Sequence, residues 1–576
     1  NIDGKPALLG DKVYYRVNID ASRLTDTAYK VWRLGMTDDY DQEYLKLDAK
    51  HVEILDETGR DRTGEFNIQD KDGVLYAFAK TVDTQIPATG ETVPGDPQPD
   101  DLKAYSEKTD KDYDPLKDPS IDQSLLGHTY QVVMPMTVTK VKDGHTVENT
   151  ATQVTNDKRD KTNTVTNPLK EINPTKDVTV QVGGDSIDGK SVYLNHTFLY
   201  RLDSSILPPD RAYQTVTDWG GTDQLNTEYD QYLGNWAVYA SRDLYRDGQM
   251  LAAKGEKIAG SGFDSSKFGG NLFTVDADDN GKVTADATQA YLDLVSADNE
   301  HEAGWVLYLQ CKRIAVADEV PNTWTETING QPRESNKVVT KTPDMTPSIH
   351  LEKVDTPTLK QEGQEQADRD DPKQALKMDA DSIGITFIIT NTSKTDPATG
   401  DGAWYKASDL NLADSTIVGD AHVDMDSLTY PADWDTLVLK PGESVSVTGT
   451  LKGVKEGETH TDRAIVTGTP LVECAPSNGD PFNDKTDGGE DTDPEYSTGD
   501  VTEIDGKQLC ADTQTASNTD DWNGYRAKPL ASTGVAVLGL AGGALAVLLA
   551  GGSLLVFRKR HYAQGSGRHT AVNAGK

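Results

Sequence analysis

Apolar and polar residues alternate in short runs along most of the chain, the period of a half-buried β-strand. The clearest runs are Ile383 to Thr390 (IGITFIIT), Leu437-Val438-Leu439, Ser444-Val445-Ser446-Val447 and Ala464-Ile465-Val466, separated by turns such as Pro441-Gly442 and Gly453. Trp305 to Cys311 (WVLYLQC) reads as a further strand. One segment has helical character, Val283 to Ser296 (VTADATQAYLDLVS), with Asp286 or Thr284 as its cap. One stretch is apolar throughout: Val535 to Phe557 holds 23 uncharged residues and ends at Arg558-Lys559-Arg560. Such a span can cross a ~30 Å hydrocarbon core as a helix, and the basic triplet would hold its end in the cytoplasm. The expected fold class is all-β: tandem immunoglobulin-like sandwiches with small helix inserts, followed by a C-terminal transmembrane helix.

The pattern also repeats at long range. Ile2-Asp3-Gly4-Lys5 returns as Ile187-Asp188-Gly189-Lys190, Tyr15-Arg16-Val17 as Tyr200-Arg201-Leu202, and Thr37-Asp38 as Thr222-Asp223, all near an offset of 185. Asn149-Thr150 returns as Asn322-Thr323 and Asn163 as Asn336, both at 173. Several separate matches point to a duplicated domain. The shorter late offset places extra residues in the first copy, where the Pro/Asp/Lys-rich stretch 88–120 reads as a surface loop. Proline-bounded hinges at Pro168–Pro174 and Pro343–Pro347 then divide the chain. The expected units are 1–167, 168–347 and 348–525, then a linker with a short motif (526–534), the apolar span (535–557) and a basic tail (558–576). Residues 475–500, rich in Asp, Gly, Pro and Asn, read as a long acidic loop.

Composition narrows the function classes. Net charge is −37, and the segment after Thr533 holds only basic charges, so the part before it is more acidic still. Such a polyanion is not expected to bind nucleic acid or anionic membranes, although clustered carboxylates could collect calcium. Asp276 to Lys282 (DADDNGK) opens like a calcium loop, but an EF-hand needs a Glu where Ala287 stands, so a carboxylate-bearing β-turn is expected. No nucleophile elbow, phosphate loop, H-E-x-x-H or C-x-x-C spacing occurs, so an enzyme is not expected. Trp219, Trp236, Trp305 and Trp324 are expected in cores. Cys474 and Cys510 can pair in an oxidising location, leaving Cys311 as a buried free thiol. The chain opens at Asn1 without a signal peptide, and reads as the C-terminal part of a longer exported protein.

Leu530-Ala531-Ser532-Thr533-Gly534, the apolar span and the basic tail together resemble the sorting signal of sortase substrates. The common form has proline where Ala531 stands, and the L-A-x-T-G variant resembles one used in high-GC Gram-positive bacteria. The resemblance implies attack of a sortase thiolate on the Thr533 carbonyl, cleavage before Gly534, and transfer to a peptidoglycan amine. The location so implied is extracellular, covalently attached to the cell wall, membrane-spanning before cleavage.

Leu207-Pro208-Pro209-Asp210-Arg211-Ala212-Tyr213, Gly234-Asn235-Trp236-Ala237-Val238-Tyr239-Ala240 and Ser335 to Pro343 (SNKVVTKTP) resemble the C-terminal stalk domains of streptococcal antigen I/II-type adhesins. The likeness covers 166–347 well and 1–165 moderately. It implies immunoglobulin-variant stalk domains, some with bound calcium and a self-made Lys–Asn isopeptide bond. That bond needs a buried lysine, an asparagine and an acid in one dry site. The residues expected in the second unit are Lys176 in its first strand, Asn336 in its last and Asp223 as the acid, with Asp218 as the alternative. The first unit keeps Asn163 and Asp38, with its lysine expected ahead of Asn1. In the third unit, Lys353 and Asp462 are expected to form a salt bridge rather than condense. The resulting reading is the stalk and wall anchor of a surface adhesin whose binding head lies upstream, with sortase, peptidoglycan and an unidentified host or bacterial surface ligand as partners. The alternatives are domains that bind a glycoprotein or glycan themselves, or the anchor of an upstream wall-bound enzyme.

Overall fold

The computed structural model describes residues 1–27, 30–82, 94–95, 109, 111–114, 120–356, 369–476, 479–482 and 501–529. Most of the 88–120 insert, most of the 475–500 loop, the motif Leu530–Gly534, the span 535–557 and the tail lie outside the described residues. No helix among the described residues is long and apolar enough to cross a membrane.

Each unit is built from two facing β-sheets. In the first, Lys12–Asp20, Thr129–Val138, Leu45–Leu47 and Glu53–Asp56 form one sheet, and Lys158–Lys161, Ala151–Thr155, Leu34–Asp39, Val74–Ala79 and Phe66–Lys71 the other. Lys12–Asp20 shows why: Val13, Tyr15, Val17 and Ile19 alternate inward while their neighbours face solvent. In the second unit, Thr175–Thr179, Thr197–Asp203, Trp305–Arg313, Asp230–Ala240 and Lys257–Gly260 face a sheet of Phe273–Ala277, Lys282–Ala287, Trp219–Gln224, Trp324–Ile328 and Gln331–Glu334. The third pairs Ile349–Asp355, Ser382–Asn391, Ser444–Lys452 and His422–Val423 against Leu376–Met378, Ala516–Arg526, Thr459–Gly468 and Asn411–Val418. All of these ladders are antiparallel except Leu376–Met378 on Ala516–Arg526. The strands expected at Ile383–Thr390, Ser444–Val447 and Ala464–Val466 are all present.

Trp305–Arg313 is buried along almost its whole length rather than on one face. The reason is a second apolar contact: Phe482 packs with Leu199, Ala237, Val306 and Tyr308 on the outer side of this sheet. A strand covered on both faces reads as a continuous apolar run. Trp219, Trp305 and Trp324 lie in the core of this unit and Trp236 packs against it half-buried, as expected for core aromatics.

The helix is shorter and later than the sequence suggests. Val283, Ala285 and Ala287 follow period two and belong to the strand Lys282–Ala287, which pairs with Phe273–Ala277 and Trp219–Gln224. The α-helix is Gln289–Ala297, burying Tyr291, Leu292, Leu294 and Val295. Its N-cap position is Thr288, whose hydroxyl donates to the Asn271 carbonyl (2.6 Å), so neither Asp286 nor Thr284 caps it. Asp278 closes the hairpin before it, its Oδ1 accepting from the amides of Asn280 and Lys282 (both 2.9 Å), the β-turn expected there.

The units are fastened to one another. Ala212 N donates to Pro6 O (2.8 Å) and Arg333 Nη2 to Leu9 O (3.3 Å) between the first and second. Ser191 Oγ donates to Asp396 Oδ2 (2.7 Å) and Tyr193 Oη to Asp401 Oδ2 (2.9 Å) between the second and third.

Candidate functional site

Lys176 is the second residue of the first strand of unit two, and the strand's pleat turns its side chain inward, with no exposed area. Its ammonium contacts Asp223 Oδ2 and stands 4.5 Å from the centre of the Tyr200 ring. Asp223 projects from the opposite sheet, so the contact spans the sandwich. Burial pushes the Lys176 amine below its ordinary value, against the pull of the Asp223 carboxylate. Asp223 Oδ1 is buried without a hydrogen-bond donor. Asp218 is elsewhere: its Oδ2 accepts from the Gly330 amide (3.0 Å) in a turn.

Asn336 does not face this amine. It is exposed and grips the backbone of Lys176 instead, Oδ1 accepting from Lys176 N (2.8 Å) and Nδ2 donating to Lys176 O (2.9 Å). The asparagine that faces the interior is Asn322, buried, with Nδ2 lacking an acceptor. The ladders show its place. Asp223 pairs with Trp324, and Asn322, the last residue of the preceding strand Ala317–Asn322, lies two residues before Trp324 and is buried like it. In unit one Asp38 pairs with Ala151, and Asn149 lies two residues before Ala151. There the contact is direct, Asn149 Nδ2 donating to Asp38 Oδ2 (3.1 Å). Asn163, like Asn336, is exposed and outside the site. The sequence carried the needed signal: Asn149 and Asn322 also match at the 173 offset, and alternation in Asn322-Thr323-Trp324 sets the asparagine on the face of a core tryptophan.

Asp38 in unit one is raised to about 6 by burial, opposed by its bond from Asn149. A raised folded value means that its contribution is fully present below the unfolded value near 4 and is lost as pH rises through about 6. Asp38→Asn is therefore expected to gain on the wild type by roughly 2–3 kcal/mol between pH 4 and pH 7, read from urea unfolding of this unit at each pH.

Beneath the Lys176 site lies a second charged cluster. Arg313 donates to Asp230 Oδ1 (2.8 Å), Thr342 Oγ1 (2.8 Å) and Thr340 Oγ1 (2.6 Å), while Tyr200 Oη donates to Asp230 Oδ2 (2.8 Å). Arg313 and Asp230 are without exposed side-chain area. Cys311 is a buried free thiol on the same strand, as expected.

In unit three the expected ion pair is present and has a third member. Lys353 Nζ lies 2.5 Å from Asp414 Oδ2 and 2.6 Å from Asp462 Oδ2. Cys474 and Cys510 form the expected disulfide across the Leu471–Glu473 and Lys507–Ala511 strands. Opening it with Cys474→Ser and Cys510→Ser is expected to cost about 3–4 kcal/mol in the unfolding of unit three, from the 36-residue separation it closes. Among the described residues no group of three or more His, Cys, Asp or Glu side chains is placed to hold a metal.

Residues 1–169 match the family model described as the cell surface antigen I/II C2 terminal domain, and residues 173–343 the model described as cell surface antigen C-terminus. The two units are thus of the cell-surface antigen C-terminal domain type. Their type is antigen I/II, a family of antigens and adhesins rather than enzymes, and it implies a place at the cell surface. The aggregation substance of Enterococcus faecalis (strain ATCC 700802 / V583) is 30% identical over 324 residues, 55% of this chain and 21% of that protein. Among solved structures, the C-terminal domain of the Streptococcus pyogenes antigen I/II-family protein AspA is 23% identical, covering 59% of this chain and 95% of that chain at a TM-score of 0.44. The C-terminal domain of the Streptococcus agalactiae AgI/II polypeptide BspA is 19% identical, covering 59% and 96% at 0.43.

Proposed function

We propose that this chain is the C-terminal stalk and wall anchor of a Gram-positive surface adhesin, carrying force between a distal binding head and the peptidoglycan. The observation that carries the reading is the buried Lys176–Asp223 pair, with the buried Asn322 at the position from which Asn149 reaches Asp38 in unit one. In that dry site a neutral amine attacks the Asn322 carboxamide, Asp223 holds the proton that polarises it, and ammonia leaves. The amide so made ties the first strand after the hinge to a strand paired with the last one, since Asn322 lies opposite Val338. Tension entering near residue 175 then passes through the amide to Asn322, and the strands between Lys176 and Asn322 are not loaded. Fastened junctions between units suit the same role. Sorting through Leu530–Gly534, with acyl transfer from Thr533, supplies the attachment, and sortase and peptidoglycan are its partners.

Single-molecule pulling tests it. Wild-type unit two is expected to show no unfolding step for the chain between Lys176 and Asn322, whereas Asn322→Ala adds roughly 50 nm of contour, about 3.5 Å for each released residue. A wild type that extends as far as the variant contradicts the reading.

A further inference from the structure

The three units share one arrangement in the ladder. An aspartate pairs with a residue whose second neighbour upstream is Asn149 in unit one, Asn322 in unit two and Asp462 in unit three. For unit three the pairing aspartate is Asp414, opposite Ala464. Lys353, in the first strand of the facing sheet, fills the place that Lys176 fills in unit two. This third site lies beyond the residues matched by either antigen model. From this geometry we infer that unit three is also cross-linked, by an amide between Lys353 Nζ and Asp462 Cγ formed with loss of water.

The site is dry: side-chain exposure is 0% for Lys353, 2% for Asp414 and 0% for Asp462. Two carboxylates against one ammonium leave an excess negative charge, which such a pair relieves by keeping one proton. Burial, and the neighbouring Asp462, hold the Asp414 carboxyl above the usual carboxylate range. Asp462 is the group attacked, because it holds the position that Asn322 holds in unit two. Its Oδ1 is buried without a hydrogen-bond donor, and His460 Nε2 lies 3.1 Å from its Oδ2. The Lys353 backbone is fixed as the reaction requires, its amide donating to Asp520 Oδ2 (2.5 Å).

The step balances without a co-reactant. A proton passes from the ammonium to the carboxylates, the free amine of Lys353 adds to Asp462 Cγ, and a C–N bond forms. Asp414 delivers its proton to one Asp462 oxygen and takes one from the nitrogen. The C–O bond breaks, water departs, and Asp414 ends as it began. Condensation in water is unfavourable, but here it removes two buried charges whose desolvation is expensive, and the groups are already held in contact.

This inference uses the chemistry proposed for unit two but none of its residues, and the masses separate the two. Intact mass and peptide mapping of the folded whole chain are expected to show a deficit of one water with a branched peptide joining Lys353 to Asp462. Asn322→Ala should restore only the ammonia of unit two and leave the water deficit. Asp462→Asn should lose ammonia instead of water and give the same branched peptide as the wild type. Asp462→Ala should give no branched peptide. Separate Lys353 and Asp462 peptides from folded wild type, or a branch at Asp414, would overturn the inference. An Asp462→Asn chain that folds without forming the branched peptide would also overturn it.

Discussion

Asn322→Ala should lower the unfolding free energy of unit two by about 5 kcal/mol, the chain-entropy value for a cross-link closing a loop of more than 100 residues. Asn336→Ala should cost little, because that residue is exposed and its two bonds reach only the Lys176 backbone. The contrast separates a covalent site from a merely polar one. Without the bond, Asn322→Ala removes one buried amide whose Nδ2 already lacks an acceptor. The cost would then fall to about 1 kcal/mol or below. Calorimetry of the whole chain, following the transition of unit two, gives both numbers. Lys176→Ala is the less informative change, since it also strands the buried Asp223 carboxylate whether or not a bond forms.

The second large effect concerns Arg313. Asp230→Ala leaves a guanidinium buried with only two threonine hydroxyls and the face of Phe198, 5.4 Å from its ring centre. Removing one member of a buried pair costs about 3–5 kcal/mol. In a unit of this size that corresponds to a fall in melting temperature of roughly 10 °C. Replacing both members with apolar residues, Arg313→Met with Asp230→Leu, is expected to restore much of the loss, because no uncompensated charge remains. A double variant as unstable as Asp230→Ala would mean that the threonine and tyrosine bonds, rather than the charge balance, hold this end of the sandwich.

The architecture was legible because strands with one buried face leave period-two patterns and because the duplication repeats them. The all-β class, the strands of unit three and the buried Cys311 were readable in that way, whereas the Cys474–Cys510 disulfide followed from an oxidising location and the Lys176–Asp223 contact from what the family resemblance implies. The helix was misplaced because Val283-Thr284-Ala285-Asp286-Ala287 carries two helix-favouring alanines and sits directly before a true helix, so the change of period at Thr288 is easily passed over. The expected asparagine, Asn336, proved to bond the Lys176 backbone instead of facing its amine, for a different reason. Matching copies identifies equivalent positions but not the direction of a side chain, and both Asn322 and Asn336 have counterparts in unit one. Only the ladder register, which sets Asn322 on the side of Asp223, decides between them. Asp414 carried no signal in the sequence, because its match to Asp223 emerges from strand pairing between units with little residue similarity.

The most direct measurement is mass spectrometry of the folded whole chain after proteolysis. The account predicts a branched peptide joining Lys176 to Asn322, lighter than its two parts by one ammonia and absent from Asn322→Ala but present in Asn336→Ala. Recovery of Lys176 and Asn322 on separate unmodified peptides from the folded wild type would contradict it.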